Sequence, residues 1–463
     1  MPEIPIQFYS AIQLGKLLRT RRISSVELTQ IFLDRLEAQG QALNAAAEIA
    51  RAKALEEAAF ADAELAAGAV RSPMHGVPYA PKDAFATAGI PTRWGSQAHR
   101  HQKFPYDATV VSRLRDAGAV LLGKLAMVEL AGAGGYCWAS ASATGPTLNP
   151  WNRAHWSGGS SSGSAAAVAA GAVVFSLATE TCGSITVPSA FCGVTGLRPT
   201  VGRVSRHGVM ELSLTMDKVG IIGRTAEDCG NVLQLICGHD PRDDFSGTQA
   251  FRFFGHAVSG PLRLGLLKHD YTEAPETASC LEAALRVLRA RRFNVSETTF
   301  PEGIDYAGTA QTILSAEGST AFEQFIGSND LKLLSDGQQQ AGLKKGLKIR
   351  ACEYIRALNM RSQASRAIAG MWTSFDALIA PTLLHGAPRI EENLDAAFAR
   401  MGGNGAASNL VGLPSVSVPM GFTAQGLPVG LEILGPPNAE QTILGIAMAF
   451  QRDTDHHLRF PLM

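Results

Sequence analysis

The chain of 463 residues has no net charge: lysine and arginine number 41, and so do aspartate and glutamate. That balance leaves no electrostatic footprint for nucleic acid or an anionic membrane surface, so neither is expected as a partner. The seven cysteines (Cys137, Cys182, Cys192, Cys229, Cys237, Cys280 and Cys352) are odd in number, and none forms a CxxC pair. Neither a zinc ribbon nor a disulfide framework is indicated. No apolar run reaches the ~18 residues of a membrane span. The opening Met1-Pro-Glu-Ile-Pro-Ile-Gln7 lacks a basic stretch followed by an apolar one, which reads as a mature, cytoplasmic N-terminus. No Pro/Ser-rich linker, long charge run or internal repeat marks a boundary, although the length alone allows two or three domains. With 46% apolar residues the chain can bury a large core.

What is present is a pair of glycine-serine turns. Ser160 lies in Ser157-Gly-Gly-Ser-Ser-Ser-Gly-Ser164, which runs into Ala165-Ala-Ala-Val-Ala-Ala170 and Gly171. This reads as a loop opening an alanine-rich helix with a glycine stop. The apolar run Ala172 to Glu180 then reads as a buried strand ending in the tight turn Thr181-Cys-Gly-Ser184. That order brings a helix N-terminus, which favours negative charge, close to a strand end, so both serines can face one cavity. The successive N–H groups of Thr181, Cys182, Gly183 and Ser184 can converge on a carbonyl oxygen gaining charge, as an oxyanion hole. Lys82 lies upstream in Gly76-Val-Pro-Tyr-Ala-Pro-Lys-Asp83. A serine hydroxyl needs a proton acceptor to become a nucleophile. Lysine accepts only when neutral, so its pKa must fall from about 10.4 toward roughly 7 to 8.

These stretches resemble the amidase signature family. So do Gly145-Pro-Thr-Leu-Asn-Pro-Trp151, Pro188 to Thr200, Gly202 to Gly208 and Gly426-Leu-Pro-Val-Gly-Leu431. The resemblance implies a single large α/β domain over 1–463, with a mixed β-sheet covered by α-helices on both faces. It implies that Ser184 is the nucleophile, Ser160 a bridging serine held on a cis peptide, and Lys82 the base. Ser161 and Glu180 would support them. The expected reaction is hydrolysis of a C–N bond in a linear amide through an acyl-enzyme, with no metal or organic cofactor required.

Each role has a rival. Small polar residues build tight turns without any chemistry. Lys124, after the apolar run Ala119-Val-Leu-Leu122, competes with Lys82, although only Lys82 has the family's Pro-x-x-x-Lys-Asp setting. Gly159-Ser-Ser-Ser-Gly163 fits a G-x-S-x-G elbow centred on Ser161, but a polar loop precedes it where an elbow needs a strand. No Lys-Ser/Thr pair follows the glycines, so a phosphate-binding loop is disfavoured. Three positions depart from the family pattern: Glu180 stands where Asp is frequent, Cys182 where Gly is, and Thr186 where Arg is. Backbone N–H groups survive all three changes. Thr186 cannot pair with a carboxylate as an arginine can, so an acidic substrate loses an anchor. Cys182 is expected to be a small side chain facing away from the substrate.

Elsewhere, Ser24 and Glu27 form a capping box for a helix through Leu36. Segments 413–419 and 427–434 read as a hairpin, and Asn438 as the cap of a final helix. The segment 300–405 matches the family least and is expected to shape the substrate pocket, with a helix from Tyr306 to Phe325. Gly135, Tyr136 and Trp138 are expected near the acyl group, and a hydrophobic or aryl amide is the preferred substrate. A carbamate or urethane hydrolase would use the same triad. Another alternative is the glutamine-hydrolysing subunit of a tRNA-dependent amidotransferase, which the loss of arginine at 186 weakens. The last is a non-catalytic binding protein on the same fold. A homodimer is compatible with the first reading.

Overall fold

The computed structural model describes residues 4–258 and 260–462, so three residues of the N-terminal reading above lie outside the described residues. An eight-stranded sheet organises the chain. Its strands are β1 (Ser176–Glu180), β2 (Thr195–Arg198), β3 (Lys218–Gly223), β4 (Arg263–Leu267), β5 (Asn294–Thr298), β6 (Ala377–Pro381), β7 (Ser415–Phe422) and β8 (Pro428–Leu434). They lie in the order β1-β3-β2-β7-β8-β6-β4-β5. The β6–β4 and β4–β5 pairs are parallel and the others antiparallel, so the sheet is mixed. The helices that bear on the site are α1 (Ser162–Ala169), α2 (Thr186–Cys192), α3 (Ala226–Ile236), α4 (Pro275–Ala290), α5 (Tyr306–Ala321), α6 (Ala351–Met371), α7 (Leu394–Met401) and α8 (Glu440–Arg452).

Alternation along the strands assigns two faces. On one, Val416 and Val418 of β7 with Leu431 and Ile433 of β8 join the main apolar core, together with Leu281 and Leu285 of α4 and Ile443 and Phe450 of α8. On the other, β8 turns Gly430 toward α2. A Cβ there would sit 2.7 Å from that of Ala190, so only glycine lets α2 lie this close. The polar residues of this second face, Glu180, Arg198, Ser417 and Glu432, are buried between sheet and helix. Burial of such groups requires partners, and those partners shape the site.

Several local expectations hold. Ser24 caps the helix Ser25–Arg35 with its reciprocal Glu27 bond, and β7 and β8 form the hairpin. Others shift. The helix after Ser160 begins at Ser162, and the strand is confined to Ser176–Glu180, because Gly171 to Val174 form the turn and bends that lead into it and Phe175 makes only an isolated bridge to Tyr79. The helix from Tyr306 ends at Ala321, and a short one follows over Glu323–Ile326. Asn438 does not cap α8: the cap position is Ala439, and Asn438 instead accepts from Arg203 at 2.7 Å. Among the described residues, no helix is long and apolar enough to cross a membrane.

Candidate active site

Three pieces of chain converge at the end of β1. The segment before Asp83 runs along the outer edge of β1, where the Lys82 N–H donates to the Leu177 carbonyl at 2.9 Å. This backbone bond fixes the depth at which the lysine side chain leaves the strand. Its Nζ donates to Ser160 Oγ at 2.7 Å and to Thr179 Oγ1 at 2.9 Å. Lys82 is fully buried. Burial pushes its pKa down to about 7, with Asp217 and Glu180 pulling the other way.

Ser160 follows a cis Gly159–Ser160 peptide. Its neighbour Ser161 donates its N–H to the Ser184 carbonyl at 3.3 Å and its hydroxyl to the Thr179 carbonyl at 3.2 Å. Those two bonds clip the first serine loop to the Ser184 turn and to the strand that leads into it. Ser161 thus serves as a loop tie at the start of α1, and the segment before it is a loop, where an elbow would need a strand. Ser184 sits on the turn between β1 and α2, and its residue is 8% exposed. Among the described residues, no hydrogen bond joins the Ser160 and Ser184 hydroxyls, nor do the N–H groups of Cys182, Gly183 and Ser184 donate to a protein acceptor. Gly183 adopts φ +87°, which lets this turn expose its successive N–H groups.

Glu180 holds the turn from below. One carboxylate oxygen accepts the N–H groups of Ile185 and Thr186 at 2.7 and 2.9 Å, at the start of α2. The other accepts from Arg198 at 2.6 Å and Asn409 at 2.9 Å. Burial opposes the charge, but Arg198, Lys218 and these donors outweigh it and hold the carboxyl at about 2. The Thr186 hydroxyl also turns to Glu180, at 3.3 Å. Lys218 donates to the Thr181 carbonyl at 3.1 Å, and the Thr181 hydroxyl donates to Asp217 at 2.5 Å. Lys124 is placed elsewhere: buried, it bonds the Phe85 carbonyl and the Thr92 hydroxyl, 3.6 Å from Asp83.

Ser184 opens into a cavity of about 400 Å³. Gly135 and Tyr136 line it, as do Ala307, Gln311 and Leu314 of α5 and Asp395 and Phe398 of α7. Two readings need correction. Trp138 is 43% exposed and does not line the cavity, because its side chain points to solvent between the buried Cys137 and Ala139. Cys182 is exposed and lines the cavity, because the turn that presents the N–H groups also turns its side chain outward. Sequence reasoning missed Thr179, Asp217 and Arg198. The strand alternation offered a signal only for Thr179, a hydroxyl on the strand that leads into the Ser184 turn. Among the described residues, no cluster of three or more His, Cys, Asp or Glu side chains is arranged to hold a metal ion.

The family model for amidases matches residues 27–444. The chain belongs to the amidase signature family. It is 35% identical to the A subunit of the glutamyl-tRNA(Gln) amidotransferase of Moorella thermoacetica, over 98% of this chain and 99% of that one. Among solved structures it resembles the native peptide amidase of Stenotrophomonas maltophilia, with 32% identity, a TM-score of 0.87 and 99% of each chain covered. It also resembles a vestigial protein complex that reveals the evolutionary origins of an s-triazine catabolic enzyme, with 27% identity and a TM-score of 0.88 over 96% of this chain and 98% of that one. This amidase-signature chain is therefore a C–N hydrolase by family, on a single α/β domain.

Proposed function

We propose that the protein hydrolyses a small amide through a Ser-Ser-Lys relay with Ser184 as nucleophile. The observation that carries this reading is the 2.7 Å bond from buried Lys82 to Ser160, on the loop clipped to the Ser184 turn. A lysine near pKa 7 is half neutral at neutral pH, which is the state a base requires. Neutral Lys82 takes the Ser160 proton, and Ser160 takes that of Ser184, whose Oγ bonds to the carbonyl carbon. This closes the gap between the two hydroxyls, as catalytic contacts commonly tighten on substrate binding. The free N–H groups after Thr181 receive the oxyanion. The proton returns through Ser160 to the leaving nitrogen, the C–N bond breaks, and an acyl-enzyme remains. Water, deprotonated by the same relay, then releases the acid.

Two readings of the substrate rest on different observations. Relatives that align over nearly the whole chain carry the name of an amidotransferase component, which favours glutamine hydrolysis within a larger assembly over a free-standing enzyme. The cavity beside Ser184, with Tyr136, Leu314 and Phe398 and no lysine or arginine among the described lining residues, favours a free-standing amidase for a small hydrophobic amide. Here the segment 300–405 shapes the pocket through α5 and α7, and a carbamate would present a similar carbonyl. All seven cysteines are free thiols, which supports a reducing, cytoplasmic setting. A screen of glutamine, anilides, alkyl amides, carbamates and esters, with native size measured in parallel, separates the readings. Glutamine turnover that requires a partner selects the amidotransferase. Turnover of hydrophobic amides by the isolated chain, lost in Ser184→Ala, selects the amidase. Full activity in Ser184→Ala would overturn the relay.

A further inference from the structure

The charge of the substrate cavity points to one class of amide. Among the described residues lining it, Asp395 is the only charged side chain. Two buried cations beside the Ser184 turn already donate to protein acceptors. Buried Arg198 donates to Glu180 at 2.6 Å and to the Leu413 carbonyl at 3.0 Å, while buried Lys218 donates to the Thr181 carbonyl. Thr186, two residues beyond the nucleophile, spends its hydroxyl on Glu180. Among the described residues lining this cavity, a carboxylate would meet one group of its own sign and no lysine or arginine.

Asp395 itself has capacity to spare. It stands in the first turn of α7, where Asn393 already caps the helix by accepting from the Ala396 N–H at 3.1 Å. One Asp395 oxygen accepts from Gln338 at 2.6 Å, and the other has no protein donor. The cavity's other lining residues, among them Tyr136, Phe398, Gln311 and Leu314, are uncharged. An exposed carboxylate with an open oxygen, at the rim of an otherwise uncharged pocket, is the complement of an ammonium group.

We infer that Asp395 determines specificity for amides whose acyl group carries a protonated amine, and that it disfavours those carrying a free carboxylate. This rests on the amide-hydrolase reading above. Glutamine, whose ammonium and carboxylate share one carbon, brings its anion into the same uncompensated cavity and is a poor substrate for the isolated chain.

The test uses 4-nitroanilides of acyl chains of matched length, ending in an ammonium, a methyl or a carboxylate group, across several chain lengths. The methyl series measures the hydrolytic relay, and the ratio between the charged series measures this inference, so the two fail separately. At the best length, kcat/KM is expected to favour the ammonium over the carboxylate by about tenfold. With each series read relative to the methyl series of the same variant, Asp395→Asn should lower the ratio of the ammonium to the carboxylate series about fivefold, while Asp395→Glu retains the preference. In the wild type, without any variant, the preference should shrink as salt is raised. Equal rates for the two charged series, a preference unchanged in Asp395→Asn, or efficient glutamine turnover by the isolated chain would overturn it.

Discussion

Replacing Glu180 with glutamine removes one charge and almost no volume, directly beneath the Ser184 turn. Glu180 and Arg198 are both fully buried, 2.6 Å apart. Arg198 stays charged in the variant, and one of its terminal nitrogens already lacks a partner. Breaking a buried pair by removing one member costs about 3–5 kcal/mol, because the remaining charge is uncompensated. A second route gives a similar size: a carboxyl held at about 2 against its ordinary 4.5 corresponds to roughly 3 kcal/mol. The folded pKa is depressed, so this stability is fully present above pH 4.5 and is lost as pH falls toward 2. Urea unfolding at several pH values provides the assay. The wild type should exceed Glu180→Gln by about 3–5 kcal/mol at pH 7, and the gap should narrow below pH 4.5. The double variant Glu180→Gln/Arg198→Met should be less destabilised than the sum of the singles. A gap below about 1 kcal/mol, or one independent of pH between 7 and 3, would refute the buried-pair reasoning.

Three further outcomes follow from the site. In the proposed relay Lys82 accepts a proton only when neutral, and burial lowers its pKa to about 7, so kcat/KM should rise with pH along a limb centred near 7 and the limb should vanish in Lys82→Ala. Thr179→Val removes the second acceptor of the Lys82 amine, so kcat should fall about tenfold or more with KM little changed and Thr179→Ser restoring it; a loss in KM alone would count against this role. Gly183→Ala forces a side chain onto φ +87° with its Cβ 3.0 Å from Val187, and should cost about 1–2 kcal/mol and lower kcat through the displaced N–H donors, read by thermal melting and initial rates.

Much of the candidate site was legible because the residues proposed to carry its chemistry lie in short local segments. The Ser157–Ser164 loop and the Thr181–Ser184 turn lie in short segments whose residue types dictate their form, and Lys82 lies in a strand-like segment of its own. The capping box at Ser24 and the β7–β8 hairpin were legible for the same reason. What escaped depends on contacts distant in sequence. Glu180 needs Arg198 and Asn409, and Asp217 needs the Thr181 hydroxyl. Glu317 of α5, which ties the 213–215 loop to Tyr354 of α6, is likewise silent in any local pattern. Cys182 and Trp138 were misplaced for a related reason: in an irregular turn, side-chain direction follows from backbone angles that no hydrophobic period encodes. Asn438 has the residue type of a cap, yet the packing of Arg203 claims it one residue too early.

The central claim is that covalent chemistry occurs at Ser184. A fluorophosphonate probe followed by peptide mapping tests it directly. The adduct should be found on Ser184, form faster as pH rises through 7, and disappear in Ser184→Ala and Lys82→Ala. An adduct on Ser161 or Ser160, or undiminished labelling in Ser184→Ala, would contradict the account.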